Sequence, residues 1–308
     1  MKVLIIGAGV IGTVYGAHLG AAGHAVSVLA HGERTAEVGR DGLRARDVLA
    51  DVLTESPAAV VDRADAEAFD LVLVALRRDH LPMVSAQLAM LSEHPVALFF
   101  GNNPDGRAGL PADISGPVSL GFPGVGGTIN DGLAKYMLIA QQPTALEQGH
   151  DPRLDRFHEA LEGRGFAVQR VADMSGWLAY HAVFVACVCA ALYRSGTDPQ
   201  RLARSWTELQ LMCRAITEGF RGLRNQGVGG LPRNLAVLHA RAMQPVAVGY
   251  WARSMRSPMG ELAFAAHARH AESEMRAVAR DVLARVAHDT RSDTMTQLLG
   301  AYVEATPR

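Results

Sequence analysis

The chain has 308 residues, 49% of them apolar, and a formal net charge of −1. At roughly 150 residues per domain, that length accommodates two domains with a core each. A near-neutral balance without a long basic run gives no electrostatic footprint for nucleic acid or an anionic membrane, so the expected partner is a small molecule.

In chain order, the opening MKVLIIGAGVIG lacks the basic and apolar regions of a secretory signal; KVLIIG reads as a buried strand entering a glycine turn. A helix from about Gly12 to Ala22 follows, then the strand AVSVLA, and later DLVLVAL and VALFFG. Such alternation predicts a parallel sheet flanked by helices. After Gly106, GPVSLGF, the turn-like NDG at Asn130 to Gly132, and AKYMLIAQQ predict antiparallel strands closing that sheet through a hairpin. A helix, RLDRFHEALEGRG, and a strand, FAVQRV, complete the domain near Ala172. From Asp173 onward the pattern is helical, with heptad-like spacing through LARSWTELQLMCRAITEGFRGL and MGELAFAAHARHAESEMRAVARDVLARVA and a main break at GVGGLP, Gly227 to Pro232. The fold class is α/β: a Rossmann-type doubly wound sheet over residues 1–172, then an all-helical domain over 173–308. A ligand is expected in a cleft between them.

Cys187, Cys189 and Cys213 lack the paired spacing of a zinc site or disulfide framework, which points to a reducing cytoplasm and no metal. The apolar run Ala182 to Leu192 falls far short of the roughly 20 residues that span a bilayer, and reads as a core helix. His267, His270 and Glu274 share a helical face by their spacing, a pattern that fits a solvated face better than a metal site.

GAGVIG, Gly7 to Gly12, fits G-x-G-x-x-G between a strand and a helix. Gly7 permits the tight turn, Gly9 lets backbone approach a pyrophosphate, Gly12 allows close helix packing, and Val10 and Ile11 open the helix whose N-terminus favours the phosphates. At the end of the second strand an acid would bind the ribose 2′-hydroxyl of NAD; LAHGER instead offers His31 and Arg34. Arg77 follows another strand on the same side, and these basic residues favour the 2′-phosphate of NADP, although Glu33 could act either way.

These residues carry a resemblance. MKVLIIGAGVIGTVYGAHLGAAGHAVSVLAHG resembles the opening of the ketopantoate reductase family, DLVLVALRR is similar to its strand ending in a basic residue, and FFGNNPDG resembles its Asn-Gly loop below the nicotinamide. Asn102 matches the family's asparagine, while Asn103 replaces its usual glycine. Trp177 matches the tryptophan that opens the family's long helix, and HARHAESEM is similar to the segment with its substrate-site glutamate, here Glu272. The resemblance implies NADPH as hydride donor, a keto-acid-like carbonyl as substrate, and Asn102 facing Glu272 across the cleft. A homodimer is left open.

The resemblance also implies a lysine two residues after the tryptophan, the proton donor to the carbonyl, and here that residue is Ala179. The chain has 28 arginines and only Lys2 and Lys135, neither in the helical part. Tyr180 and His181 are the nearest replacements, His as general acid and Tyr as hydrogen-bond donor; alternatively both rings are core packing. The substrate is therefore expected not to be ketopantoate. An imine or opine reductase of similar architecture and a non-catalytic NADPH-binding protein remain open.

Overall fold

The computed structural model describes residues 1–64, 68–91, 94–286 and 293–304. They form two compact units, Met1–Gly101 with Leu110–Ala172, and Asn102–Gly109 with Asp173–Arg308. The loop that follows the fifth parallel strand thus belongs with the helices.

The first unit begins β1 (Lys2–Ile6), α1 (Val10–Ala21), β2 (Ala25–Leu29), α2 (Glu33–Asp41), β3 (Leu43–Asp47), β4 (Val52–Ser56), β5 (Ala59–Val60), β6 (Leu71–Val74), α3 (Ser85–Ala89) and β7 (Val96–Phe100). It continues through β8 (Val118–Phe122), β9 (Val125–Asn130), β10 (Leu133–Leu138), β11 (Thr144–Glu147), α4 (Pro152–Glu162) and β12 (Val168–Val171). The continuous apolar runs VLII of β1, LVLV of β6 and VALFF of β7 are buried on both faces, as central parallel strands require. The main sheet has the order β12-β11-β8-β7-β6-β1-β2-β5. From β5 to β8 every pairing is parallel; β11 runs antiparallel to β8. The chain reverses direction of travel between β1 and β6, the switch point where doubly wound sheets bind their ligands.

The hairpin predicted at Asn130 to Gly132 forms, with Asn130 opposite Leu133 and positive φ at Asp131 and Gly132. It does not close the main sheet. β10 pairs in parallel with β3, giving a separate sheet of order β4-β3-β10-β9 that packs on α1. The sequence concealed β3 and β4 because LRARD and VLTES are half-exposed and charged, without a clean apolar alternation. α1 accepts this second sheet through small residues on one face: a Cβ on Gly16 would lie 2.5 Å from Leu43 Cδ1, and on Gly20 1.8 Å from Ser56 Oγ.

The second unit contains α5 (Met174–Arg194), α6 (Pro199–Arg204), α7 (Trp206–Asn225), α8 (Arg233–Leu238), α9 (Gln244–Met255), a π-helical segment (Gly260–Ala265), α10 (Ala266–His270), α11 (Glu272–Val286) and α12 (Asp293–Glu304). Asp173 caps α5, accepting from the Gly176 amide at 2.8 Å. α5 is long and apolar enough to cross a membrane by length and composition, yet 94% of its most apolar window is buried within the structure, as in a core helix. α7, α11 and α12 pack around it. Two stretches read as continuous helix are broken. Ser205 ends α6 and caps α7, accepting from Glu208 N at 3.3 Å, and Ala271, at φ −126°, separates α10 from α11.

Candidate active site

In the first unit the loop between β1 and α1 shows why Gly7 and Gly12 cannot be replaced. Gly7 has φ +99°, and a Cβ there would meet Leu76 Cδ2 at 2.6 Å and the Ala75 carbonyl oxygen at 2.7 Å, both just past β6. A Cβ on Gly12 would lie 1.9 Å from the Gly7 carbonyl oxygen. Gly9, the N-cap of α1, has nothing within 4 Å of a Cβ position, so the loop leaves open space over the helix N-terminus. Val10 and Ile11, half-buried, begin that helix. No acid stands in its first turn, so its amide dipoles are available to a phosphate. The site fits a dinucleotide pyrophosphate.

Arg34 lies on this loop. Its Nε donates to the Ala8 carbonyl at 2.9 Å and a terminal nitrogen donates to Thr13 Oγ1 at 3.0 Å, while the other terminal nitrogen pairs with Glu37. Glu37 is the residue that sequence reading passed over; its place one turn after Arg34 in α2 was the available signal. His31 is exposed, and Arg77 lies just beyond β6 with its Nε 3.5 Å from Asp79 Oδ1. The basic side chains nearest the loop are therefore partly neutralised.

The second unit holds a polar cluster in apolar surroundings. Asn102 is buried, its Nδ2 donating to Glu274 Oε1 at 3.4 Å, while its Oδ1 is buried without a hydrogen-bond partner. A ligand N–H or O–H would satisfy such an atom. The glutamate that meets Asn102 is thus Glu274 and not Glu272. Glu272 accepts from Arg276 at 2.9 Å, one turn along α11. A break in the helix at Ala271, just before Glu272, separates α10 from α11. It also separates His270, which is exposed, from the face containing His267 and Glu274. His267 Nε2 stands 4.0 Å from Glu274 Oε2, with the Glu274 side chain 2% exposed and that of His267 34%. The 102–109 loop is fixed to its own unit by Arg107 N donating to Ser175 Oγ at 3.3 Å and by Arg285 donating to the Pro104 carbonyl. Among the described residues no group of three or more His, Cys, Asp or Glu side chains could hold a metal.

Tyr180 and His181 fall on different faces of α5. The Tyr180 hydroxyl donates to the Val228 carbonyl at 2.8 Å and its ring meets Phe220 edge-on, so that proton is already engaged inside the helical unit. His181 stacks on Trp177, ring centroids 5.1 Å apart and planes 4° from parallel, and meets Phe184 edge-on. Burial, reinforced by the charge of His267, pushes the His181 imidazole down to about 3. It is neutral at physiological pH and no imidazolium acid, although a neutral ring still donates one N–H. Ala179, where the resemblance implies a lysine, is buried in the helical core.

Residues 3–103, from β1 through the 102–103 step, match the family described as ketopantoate reductase PanE/ApbA. This part of the chain, with the glycine loop, Arg77 and Asn102, is therefore similar to a ketopantoate reductase domain of Rossmann type. No curated protein matches the chain by sequence. Solved structures share the whole fold. A PanE/ApbA family ketopantoate reductase from Ralstonia eutropha JMP134 is 19% identical with a TM-score of 0.74, covering 98% of this chain and 97% of that one. D-mandelate dehydrogenase bound to NADH and anilino(oxo)acetate is 14% identical with a TM-score of 0.72, covering 99% of each chain. A dimeric ketopantoate reductase from Staphylococcus aureus is 14% identical with a TM-score of 0.66, again covering 99% of each. At these identities the likeness establishes the fold.

Proposed function

We propose that the protein is an NADPH-dependent oxidoreductase that reduces a keto-acid-like carbonyl other than ketopantoate, in the cytoplasm and in a homodimer. The observation that carries this reading is the match of residues 3–103 to the ketopantoate reductase domain, with the glycine loop at the switch point of the sheet. The dimeric and NADH-bound neighbours support the assembly and the cofactor class. Residues 1–172 are the cofactor domain and residues 173–308 the substrate and dimerisation domain.

When bound, the reduced nicotinamide supplies the hydride. Gly7, Gly9 and Gly12 hold the pyrophosphate through backbone and the N-terminus of α1, where Val10 and Ile11 lie. His31, Arg34 and Arg77 hold the 2′-phosphate. NADPH over NADH rests on the absence of an acid at the end of β2, with Glu37 sharing Arg34. Asn102 supplies an amide to the bound reactants. A substrate other than ketopantoate follows from the missing lysine: adding hydride to a carbonyl builds charge on oxygen, and a donor there typically contributes about 100- to 10,000-fold. Neither Lys2 nor Lys135 lies in the helical unit.

The test is oxidation of NADPH and of NADH with a panel of 2-keto acids, ketopantoate and benzoylformate included, with and without amines. NADPH turnover with a 2-keto acid other than ketopantoate is the expected result. Turnover that needs an added amine marks imine reduction instead, and tight NADPH binding without turnover on any partner marks a non-catalytic protein.

A further inference from the structure

Resting on the dinucleotide reading of the glycine loop, we infer that Thr13 is a positioning residue of the cofactor site: its hydroxyl, together with Arg34, holds the Ala8–Gly9 peptide turned so that the Gly9 N–H serves the pyrophosphate. Thr13 is the fourth residue of α1 and fully buried. Its neighbours in the helix are Val10, Ile11, Gly12 and Val14, so it brings the one hydroxyl of that run. A buried hydroxyl is costly unless it is bonded, and valine would fill the same space without that cost. Here the hydroxyl is bonded twice. It donates to the Ala8 carbonyl at 3.3 Å and accepts from a terminal nitrogen of Arg34 at 3.0 Å. Arg34 Nε donates to the same Ala8 carbonyl at 2.9 Å, which closes a ring of three hydrogen bonds.

That ring fixes a peptide plane. A carbonyl oxygen has two lone pairs, and two donors take both on Ala8. Among the described residues no peptide bond is cis, so the Gly9 N–H points to the side of the plane opposite the Ala8 oxygen, away from Thr13 and Arg34. The loop is held on either side as well: Gly7 N donates to the Leu29 carbonyl at 3.1 Å, and the Gly9 carbonyl accepts from Thr13 N at 2.9 Å. Thr13 therefore grips two successive carbonyls, one with its side chain and one with its backbone.

The grip matters at Gly9 in particular. Glycine turns freely, and nothing lies within 4 Å of a Cβ position there to hold it. A flipped Ala8–Gly9 peptide would present a carbonyl oxygen to a phosphate where the held peptide presents an N–H, at a helix N-terminus whose value to an anion lies in its amides. The glycine spacing itself says nothing of Thr13, the residue after its last glycine.

The experiment uses the full chain and fluorescence titration with NADPH and NADH, with adenosine 2′-phosphate, which has no pyrophosphate, as a competing probe. Thr13→Val removes the hydroxyl and keeps the volume. It is expected to weaken NADPH and NADH by the same factor, about five- to tenfold, and to leave adenosine 2′-phosphate within about twofold of wild type. Thr13→Ser keeps the hydroxyl and should stay within about twofold on all three. Arg34→Ala reports on the same carbonyl independently: NADH, which has no 2′-phosphate, should weaken at least about twofold, and the double variant should lose less NADH affinity than the product of the two single losses. The inference is overturned if Thr13→Val binds both dinucleotides as wild type does, loses NADPH alone, or loses adenosine 2′-phosphate equally. It is also overturned if Thr13→Ser loses as much as Thr13→Val, or if Arg34→Ala leaves NADH unchanged. Each of these outcomes leaves wild-type binding, and the dinucleotide reading, standing; wild-type protein that binds neither dinucleotide removes both.

Discussion

At the scale of single residues, the roles divide by what each side chain already touches. Arg34 contacts the glycine loop and Glu37 together, so it shapes the loop, and in the proposed function it also meets the ribose 2′-phosphate. Arg34→Ala is expected to weaken NADPH roughly 10- to 100-fold, hydrogen bonds to charged groups being worth about 1.5–3 kcal/mol, and NADH less. Glu37→Gln should tighten NADPH by removing a competing carboxylate. Fluorescence titration with both nucleotides checks this, and equal losses for the two would contradict it. Tyr180→Phe leaves the Val228 carbonyl without its donor and should cost about 1 kcal/mol in urea unfolding with kcat nearly unchanged. A large fall in kcat would return Tyr180 to the reaction. His181 adds a pH dependence whose sign is fixed by its burial. Its folded value near 3 lies below the ordinary 6.5. The stability due to the neutral ring is therefore complete above about pH 6.5 and is lost progressively as pH falls toward about 3, at about 1.4 kcal/mol per pH unit. Urea unfolding at pH 7 and pH 5 should show a slope that His181→Gln reduces; an identical slope in the variant would contradict the burial of a neutral ring.

At the scale of elements, legibility followed periodicity. β1, β6 and β7 were legible because central parallel strands are uniformly apolar, and α5 because a buried helix is apolar all round. The glycine loop was legible because the steric demands at Gly7 and Gly12 admit only glycine, which a variant can test: Gly12→Val should destabilise by about 1–3 kcal/mol through overpacking against Gly7 and abolish nucleotide binding. Thermal unfolding and nucleotide titration measure both. β3 and β4 were not legible, since a charged, half-exposed hairpin lacks an alternating signature, and so the place of β10 in a second sheet was missed. The break at Ala271 was hidden for a related reason: an alanine inside AHARHAESEM carries no stop signal.

At the scale of the whole molecule, the chain combines a segment over residues 3–103 that matches the ketopantoate reductase family with a helical unit that has no lysine and a buried Asn102–Glu274 contact beside His267. The first feature points to hydride transfer from a nicotinamide. In the proposed function, the second goes with altered proton delivery and a different substrate. A misplaced or missing donor typically costs about 2.7–4 kcal/mol of transition-state stabilisation, a factor of roughly 100 to 1,000 in rate. The most direct test is the rate of NADPH oxidation with ketopantoate measured beside other 2-keto acids on the wild-type protein. At least one of the other 2-keto acids should turn over with a kcat/KM about 100-fold or more above that for ketopantoate, whereas reduction of ketopantoate at tens per second would contradict the account.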